Sequence, residues 1–340
     1  MSVRALIVDD SPTMRALIST LLSRDPDVEV IGTAHDAPMA RQMIKELDPD
    51  VITLDIEMPH MNGLDFLEKI MKLRPMPVVM VSTLTQKGAE ATVRALELGA
   101  VDCYGKPSGG MREILCTDDG TLAEIVKQAG RRRRPPVAVA RPRPPEDFIG
   151  NGRMVAVGSS TGGVEALIQL LQGYPAACPP TVIVQHMPAT FTPALAARLN
   201  DSGLATVKEA EDGMPLRTGH VYLAPGGERH TLIGGSVDNA YVRLVDASPV
   251  SGHRPSVDVL FRSAAQTLGE RAVGAILTGM GADGAQGLLE MKKAGASTLA
   301  QDEASCVIYG MPKVAAQIGA ADEIVSIDRM SQRILKLCSA

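Results

Sequence analysis

Tryptophan is absent from this 340-residue sequence, and aromatic residues make up only 3% of it. With so few ring faces to stack on bases, and a net charge of −5 instead of a basic surplus, nucleic acid is not an expected partner. Long apolar runs are missing too. No stretch reaches the length of a membrane span, and the opening residues MSVRALIVDD pass directly into a strand pattern with no room for a signal peptide. The expectation is therefore a cytoplasmic protein with no membrane insertion. The five cysteines, Cys103, Cys116, Cys178, Cys306 and Cys338, are odd in number, scattered and without CxxC spacing. That argues against a disulfide framework or a zinc site and predicts small buried hydrophobes.

What is present is a hydrophobic content of 45%, enough in a chain of this length for two cores. Over residues 1–130 the apolar runs RALIVDD, VEVIGTA, VITLDI, PVVMVS and AVDCYGKP alternate with amphipathic stretches near 12–23, 37–46, 63–73 and 87–98. Five such units predict an α/β domain with a five-stranded, parallel, doubly wound sheet. In that fold chemistry gathers at the carboxyl ends of the strands, where the sequence places Asp9 and Asp10, Asp55, Ser82 and Lys106. Three converging carboxylates repel one another unless a divalent cation neutralises them, and Mg²⁺ leaves open positions for phosphate oxygens. The set predicts phosphoryl transfer to a carboxylate. Helix capping alone accounts for Asp10 or Asp36 singly but not for acids, hydroxyl and lysine on successive strand ends.

Residues 131–151 hold six arginines and five prolines with no hydrophobic period, the composition of an extended linker. Its charge to Asp147 is +6 − 2 = +4, which leaves −9 for the rest of the chain. A solvated strap is the plainest use of it.

Residues 152–340 read as a second α/β domain, with a mostly parallel sheet, an antiparallel hairpin addition and a hairpin-rich meander over 219–245. Its focal stretch is VAVGSSTGGVEAL from Val155 to Leu167. A buried strand followed by a glycine-rich turn and a helix lifts a small polar side chain onto the sheet edge and aims helical N–H groups at it. The spacing is neither GxGxxG nor GxxxxGK[ST] and no lysine follows, which favours a serine nucleophile over a phosphate cradle, with Ser160 ahead of Ser159. A glycine-rich turn with no chemistry carries comparable weight on pattern alone. The base must come from the same edge: His186, ending TVIVQ, is slightly ahead of His253 in SGHRPS, while His220 and His230 flank strands and suit the surface equally well. Asp283, in the glycine-rich turn of AILTGMGADGAQGL, suits the orienting acid. Thr161, Met280 and Gly281 are candidates for oxyanion or site-supporting roles.

Two resemblances emerge from these motifs. The pair Asp9-Asp10, the segment LDIEMPHMNGLD, Ser82 and Lys106-Pro107 resemble a response-regulator receiver domain. That resemblance implies Asp55 as phosphoacceptor, Mg²⁺ held by Asp10, Asp55 and the Glu57 carbonyl with Asp9 assisting through water, and phosphoryl contacts from Ser82 and Lys106. It also implies a cis Lys106-Pro107 bond. Cys103 stands where receivers usually carry a switching aromatic. In the second half SSTGG, QHMP, YLAPGG, HRPSVDVLF, TGMGADG and AQDEASCVIYGMP resemble the CheB family of chemotaxis protein-glutamate methylesterases. This implies Ser160 as nucleophile, His186 as base and Asp283 as its orienting acid, with Ser159 in place of the family's usual alanine.

The implied activity is hydrolysis of glutamate γ-methyl esters on chemoreceptors, with deamidation of particular glutamines. The implied partners are a sensor histidine kinase as phosphodonor and methylated chemoreceptor cytoplasmic helices as substrate, and a monomer is expected. A receiver ahead of an enzyme predicts inhibition by covering the site until phosphorylation. The rival readings are a phosphorylation-controlled binding module with a silent output domain and a receiver-linked transcription factor. No basic helix-turn-helix pattern after residue 152 supports the latter.

Overall fold

The computed structural model describes residues 2–83, 85–106, 114–116, 120–131, 144–145 and 147–340. The chain forms two units, Met1–Pro136 and Val137–Ala340. Most of the Arg/Pro-rich stretch, and the Lys106-Pro107 bond, lie outside the described residues.

In the first unit β1 (Val3–Val8), β2 (Val28–Ala34), β3 (Val51–Asp55), β4 (Val78–Ser82) and β5 (Asp102–Gly105) form one parallel sheet in the order β2-β1-β3-β4-β5. β3 and β4 are buried at every position, as continuous apolar runs covered on both faces must be. Each crossover helix is preceded by a short polar residue whose side-chain oxygen caps its first turn. Ser11 accepts from the Met14 N–H before helix Pro12–Leu22, Asp36 from Met39 before Ala37–Leu47, Asn62 from Asp65 before Gly63–Leu73, and Thr85 from Gly88 before Gln86–Glu97. Asp36 is thus a cap, whereas Asp10 is exposed and leaves capping to Ser11. Gly63 is required, because a Cβ there would lie 2.0 Å from the Asp55 carbonyl oxygen.

In the second unit seven strands make a wholly parallel sheet: β6 (Met154–Ser159), β7 (Thr181–Gln185), β8 (Thr206–Glu209), β9 (His220–Leu223), β12 (Ala272–Ile276), β13 (Ser297–Gln301) and β14 (Glu323–Val325), in the order β14-β13-β12-β6-β7-β9-β8. β10 (Arg229–Gly234) and β11 (Tyr241–Asp246) pair antiparallel in a separate two-stranded sheet. The meander expected over 219–245 is thereby reduced to this hairpin, since β9 joins the parallel sheet through β7. Helix Val257–Leu268 buries Val257, Leu260, Phe261, Ala264 and Leu268, one apolar stripe at helical spacing, and packs against the sheet and the hairpin. Each such fully buried large side chain contributes roughly 1.5–3 kcal/mol. A short helix, Met311–Gln317, has no counterpart in the sequence reading. Cys178, Cys306 and Cys338 are buried as expected, but Cys116 is exposed and Cys103 half-buried.

In both sheets the chain runs outward from the centre in opposite directions, between β1 and β3 in the first and between β6 and β12 in the second. Such reversal points open a crevice at the carboxyl ends of the strands. Asp9 and Asp55 flank the first crevice, and Ser160 and the loop after β12 flank the second.

Candidate functional sites

The first crevice gathers Asp9, Asp10 and Asp55, each offering a carboxylate oxygen within 4.8 Å of the others. Lys106 Nζ lies 2.7 Å from Asp55 Oδ2 and 3.0 Å from Asp9 Oδ2, and those two buried oxygens have no other partner among the described residues. Burial pushes the Asp55 carboxyl up to about 6, against the pull of the Lys106 ammonium. Burial also lowers Lys106, but its bonds to Asp55 and the charge of both acids outweigh that and hold it above its ordinary value. Two buried acids thus share the Lys106 ammonium, with a third, exposed acid beside them. A cluster of hard oxygen donors short of positive charge fits a small divalent ion. The Glu57 N–H donates to Asp55 Oδ1 at 3.2 Å, which fixes the backbone that follows the strand. Ser82 is buried at the end of β4, and its hydroxyl donates to the Thr83 and Gly88 carbonyls at 3.3 and 3.4 Å.

In the second crevice Ser160 follows the last residue of β6 and is partly exposed, whereas Ser159 is fully buried and donates to Gln185 Oε1 at 2.6 Å. The turn after Ser160 passes through Gly162 at φ 75°, where a Cβ would strike Val307. The Ser160 N–H donates to the Thr278 carbonyl at 3.0 Å, tying the turn to the end of β12. The Thr278 hydroxyl donates to the Thr161 carbonyl at 3.0 Å.

His186 follows β7, and its Nε2 lies 2.8 Å from Asp283 Oδ2. A carboxylate only accepts, so Nε2 carries the proton and the lone pair of the neutral ring sits on Nδ1, which is buried and has no hydrogen-bond partner among the described residues. The Ser160 hydroxyl makes no hydrogen bond among the described residues, so the serine–histidine link is not closed in this state. Catalytic hydrogen bonds in ligand-free sites often close only on substrate binding.

Asp283 is 2% exposed and is the most heavily hydrogen-bonded side chain of this crevice. Besides His186 it accepts from the Ser256 hydroxyl at 2.7 Å and from the N–H groups of Val257 and Asp258 at 2.7 and 3.2 Å, at the start of helix Val257–Leu268. Burial pushes this carboxyl up, but the bonds from His186, Ser256 and Val257 win and hold it below its ordinary value. Ser256 is itself placed by His230, whose Nδ1 accepts from the Ser256 N–H at 3.1 Å while Nε2 meets the Ser248 carbonyl at 3.0 Å. His230 is 2% exposed, so it is a buried strut and not the surface residue the sequence equally allowed. His253, the rival base, lies against His186 with ring centroids 3.7 Å apart. Met280 and Gly281 line the loop after β12, and their N–H groups make no hydrogen bond among the described residues. Ser256 was not singled out from the sequence as a site residue, and His230 was weighed there only as a possible base or surface residue; Ser256 stands at the N-cap, but its hydroxyl bonds Asp283 and does not cap the helix.

Comparison with known proteins matches each half of the chain to a separate family. Residues 155–334 match the CheB methylesterase family and residues 5–116 match the response regulator receiver domain. The chain is 60% identical over 340 residues to protein-glutamate methylesterase/protein-glutamine glutaminase 1 of Caulobacter vibrioides, covering 99% of this chain and 98% of that one. It is 59% identical over 341 residues to the protein-glutamate methylesterase/protein-glutamine glutaminase of Rhizobium etli, with 99% and 97% covered. Among solved structures, the CheB methylesterase catalytic domain of Thermotoga maritima is 36% identical with a TM-score of 0.53, covering 55% of this chain and 99% of that one. Matched across both halves and along nearly its whole length, this chain belongs to the CheB methylesterase family, with a response regulator receiver domain preceding the methylesterase domain.

Proposed function

We propose that this chain hydrolyses glutamate γ-methyl esters on the cytoplasmic helices of chemoreceptors, releasing methanol, and deamidates particular receptor glutamines, with Ser160, His186 and Asp283 as its triad. The observation that carries the reading is the His186–Asp283 bond at 2.8 Å, which leaves a partnerless lone pair on Nδ1 at the edge where Ser160 emerges. In this mechanism Ser160 Oγ attacks the ester carbonyl as His186 Nδ1 takes its proton. Asp283 holds the ring and stabilises the imidazolium that forms. The oxyanion is received by the unpaired N–H groups of Met280 and Gly281, with Thr161 supporting the turn. His186 returns the proton to the departing methoxide, and water releases the glutamate by the same steps in reverse. With glutamine the leaving group is ammonia and the acyl-enzyme is the same.

The receiver unit supplies control. Asp55 is the proposed phosphoacceptor for a sensor histidine kinase. Asp9, Asp10 and Asp55, with the Glu57 carbonyl, would hold Mg²⁺, whose bound charge offsets that of the incoming phosphoryl oxygens. Lys106 bridges two of these acids, which supports its following the phosphoryl group, and Ser82 would turn from its carbonyl contacts to reach it. The expected compartment is the cytoplasm, where both kinase and receptor helices are available. Methanol release from methylated receptor membranes, with and without a small phosphodonor and Mg²⁺, tests the reading. No methanol under any condition would leave a binding module with a silent output domain.

A further inference from the structure

Gln185 ends β7 and is 3% exposed, and its side chain touches both halves of the proposed reacting pair. Its Nε2 donates to the main-chain carbonyl of Ser160 at 2.9 Å and to that of His186 at 3.1 Å. Two carbonyl oxygens can only accept, so the amide cannot be turned the other way, and Oε1 needs a donor of its own. The Ser159 hydroxyl supplies it at 2.6 Å. The fit is close enough to dictate a neighbour: a Cβ on Gly163 would lie 2.0 Å from Gln185 Oε1. A backbone bond of 3.0 Å from the His186 N–H to the Ser159 carbonyl closes the ring of contacts.

We propose that Gln185 is a positioning residue for the esterase reaction, clamping the Ser160 and His186 main chains at one separation, and that Ser159 anchors the clamp instead of serving as a nucleophile. This rests on Ser160 being the nucleophile. The Ser160 hydroxyl and His186 have no bond to each other in this state, so their relative position is left to the backbone, and Gln185 is the side chain that spans both backbones. Displacing a reacting pair by about 1 Å costs up to roughly 10²-fold in rate. The loss falls on kcat, because Gln185 is 3% exposed and its amide holds main-chain groups of the pair, leaving it little surface to offer a substrate.

The test uses the full-length protein, reading kcat and KM for methanol release and the rate of covalent labelling by a fluorophosphonate. Gln185→Leu, similar in size but without the amide, is expected to lower kcat and labelling about 10- to 100-fold with KM within about 2-fold. Gln185→Glu, which presents oxygens to both carbonyls, should be no faster. Ser159→Ala should lose about 2- to 5-fold, and the double variant Ser159→Ala/Gln185→Leu should be no slower than Gln185→Leu alone, since an anchor has nothing to hold once the amide is gone. Losses that multiply, or a Gln185→Leu kcat within about 2-fold of the parent, overturn the clamp. Should Gln185→Leu fail to fold, Ser159→Ala decides: a slowed labelling rate supports the clamp, and an unchanged one overturns it. Label that persists undiminished in Ser160→Ala would instead sink the nucleophile assignment, a distinct failure.

Discussion

The imidazole rings of His186 and His253 lie stacked, 3.7 Å between centroids and 9° from parallel. Two cationic rings cannot share that contact. Burial, and then the neighbouring His186, lower His253 from 6.5 to about 4, with Asp283 pulling weakly the other way. A histidine held neutral in the fold is protonated first in the unfolded chain, so stability falls as pH drops from 6.5 towards 4 and levels off below. A displacement of this size corresponds to about 3 kcal/mol, which solvent screening of a partly exposed ring reduces to about 1–2 kcal/mol. His253→Phe keeps the stack and removes the titration. Its melting temperature should therefore decline less than that of the parent across this window, and parallel curves would count against the assignment.

Ser160→Ala should lower esterase activity about 10⁴- to 10⁶-fold while leaving phosphorylation of the receiver intact. His186→Ala should match it, and the double variant should be no worse, because nucleophile and base act as one unit. His253→Ala should lose less. A dead His253→Ala beside a working His186→Ala would reverse the choice of base.

Ser256→Ala removes a buried hydrogen bond to the Asp283 carboxylate, expected to cost about 1.5–3 kcal/mol of stability. Asp283 is held below 3.8, so its stabilising contacts are complete above that pH and are lost as pH falls through its lower folded value. Loss of one donor raises Asp283, so the acid side of both the activity profile and the melting curve should shift to higher pH. Ser256→Thr, which keeps the hydroxyl, should restore the parental acid limb. An unshifted limb in Ser256→Ala would mean that the helix N–H groups alone hold the charge.

Activity should rise with phosphodonor and Mg²⁺ in the full chain and stay at the basal rate in Asp55→Asn. If the receiver restrains the enzyme by about 2 kcal/mol, roughly 3% of molecules are free before phosphorylation and the rise is capped near 30-fold. The fragment of residues 152–340 should then be at least as active without any phosphodonor. A fragment no faster than the unphosphorylated chain would point to activation by contact or by localisation.

The sequence by itself determined the elements and the edges on which chemistry gathers. Continuous apolar runs such as VITLD and TVIVQ, set between amphipathic stretches, read as buried strands and are buried at every position. Because parallel strands deliver their carboxyl ends to one edge, Asp9, Asp55 and Lys106, and likewise His186 and Asp283, were legible as neighbours from their place after apolar runs. The contacts that rank these residues were not. Ser159 and Ser160 are neighbours in one motif, and what separates them is that one points into the sheet at Gln185 and the other does not. His230 and His253 sit in similar loop-edge contexts, yet one props up Ser256 and the other lies against His186. The tertiary structure decided these contacts, because hydrogen bonds between residues dozens of positions apart depend on which strands become neighbours, and local sequence patterns carry only the direction of the chain.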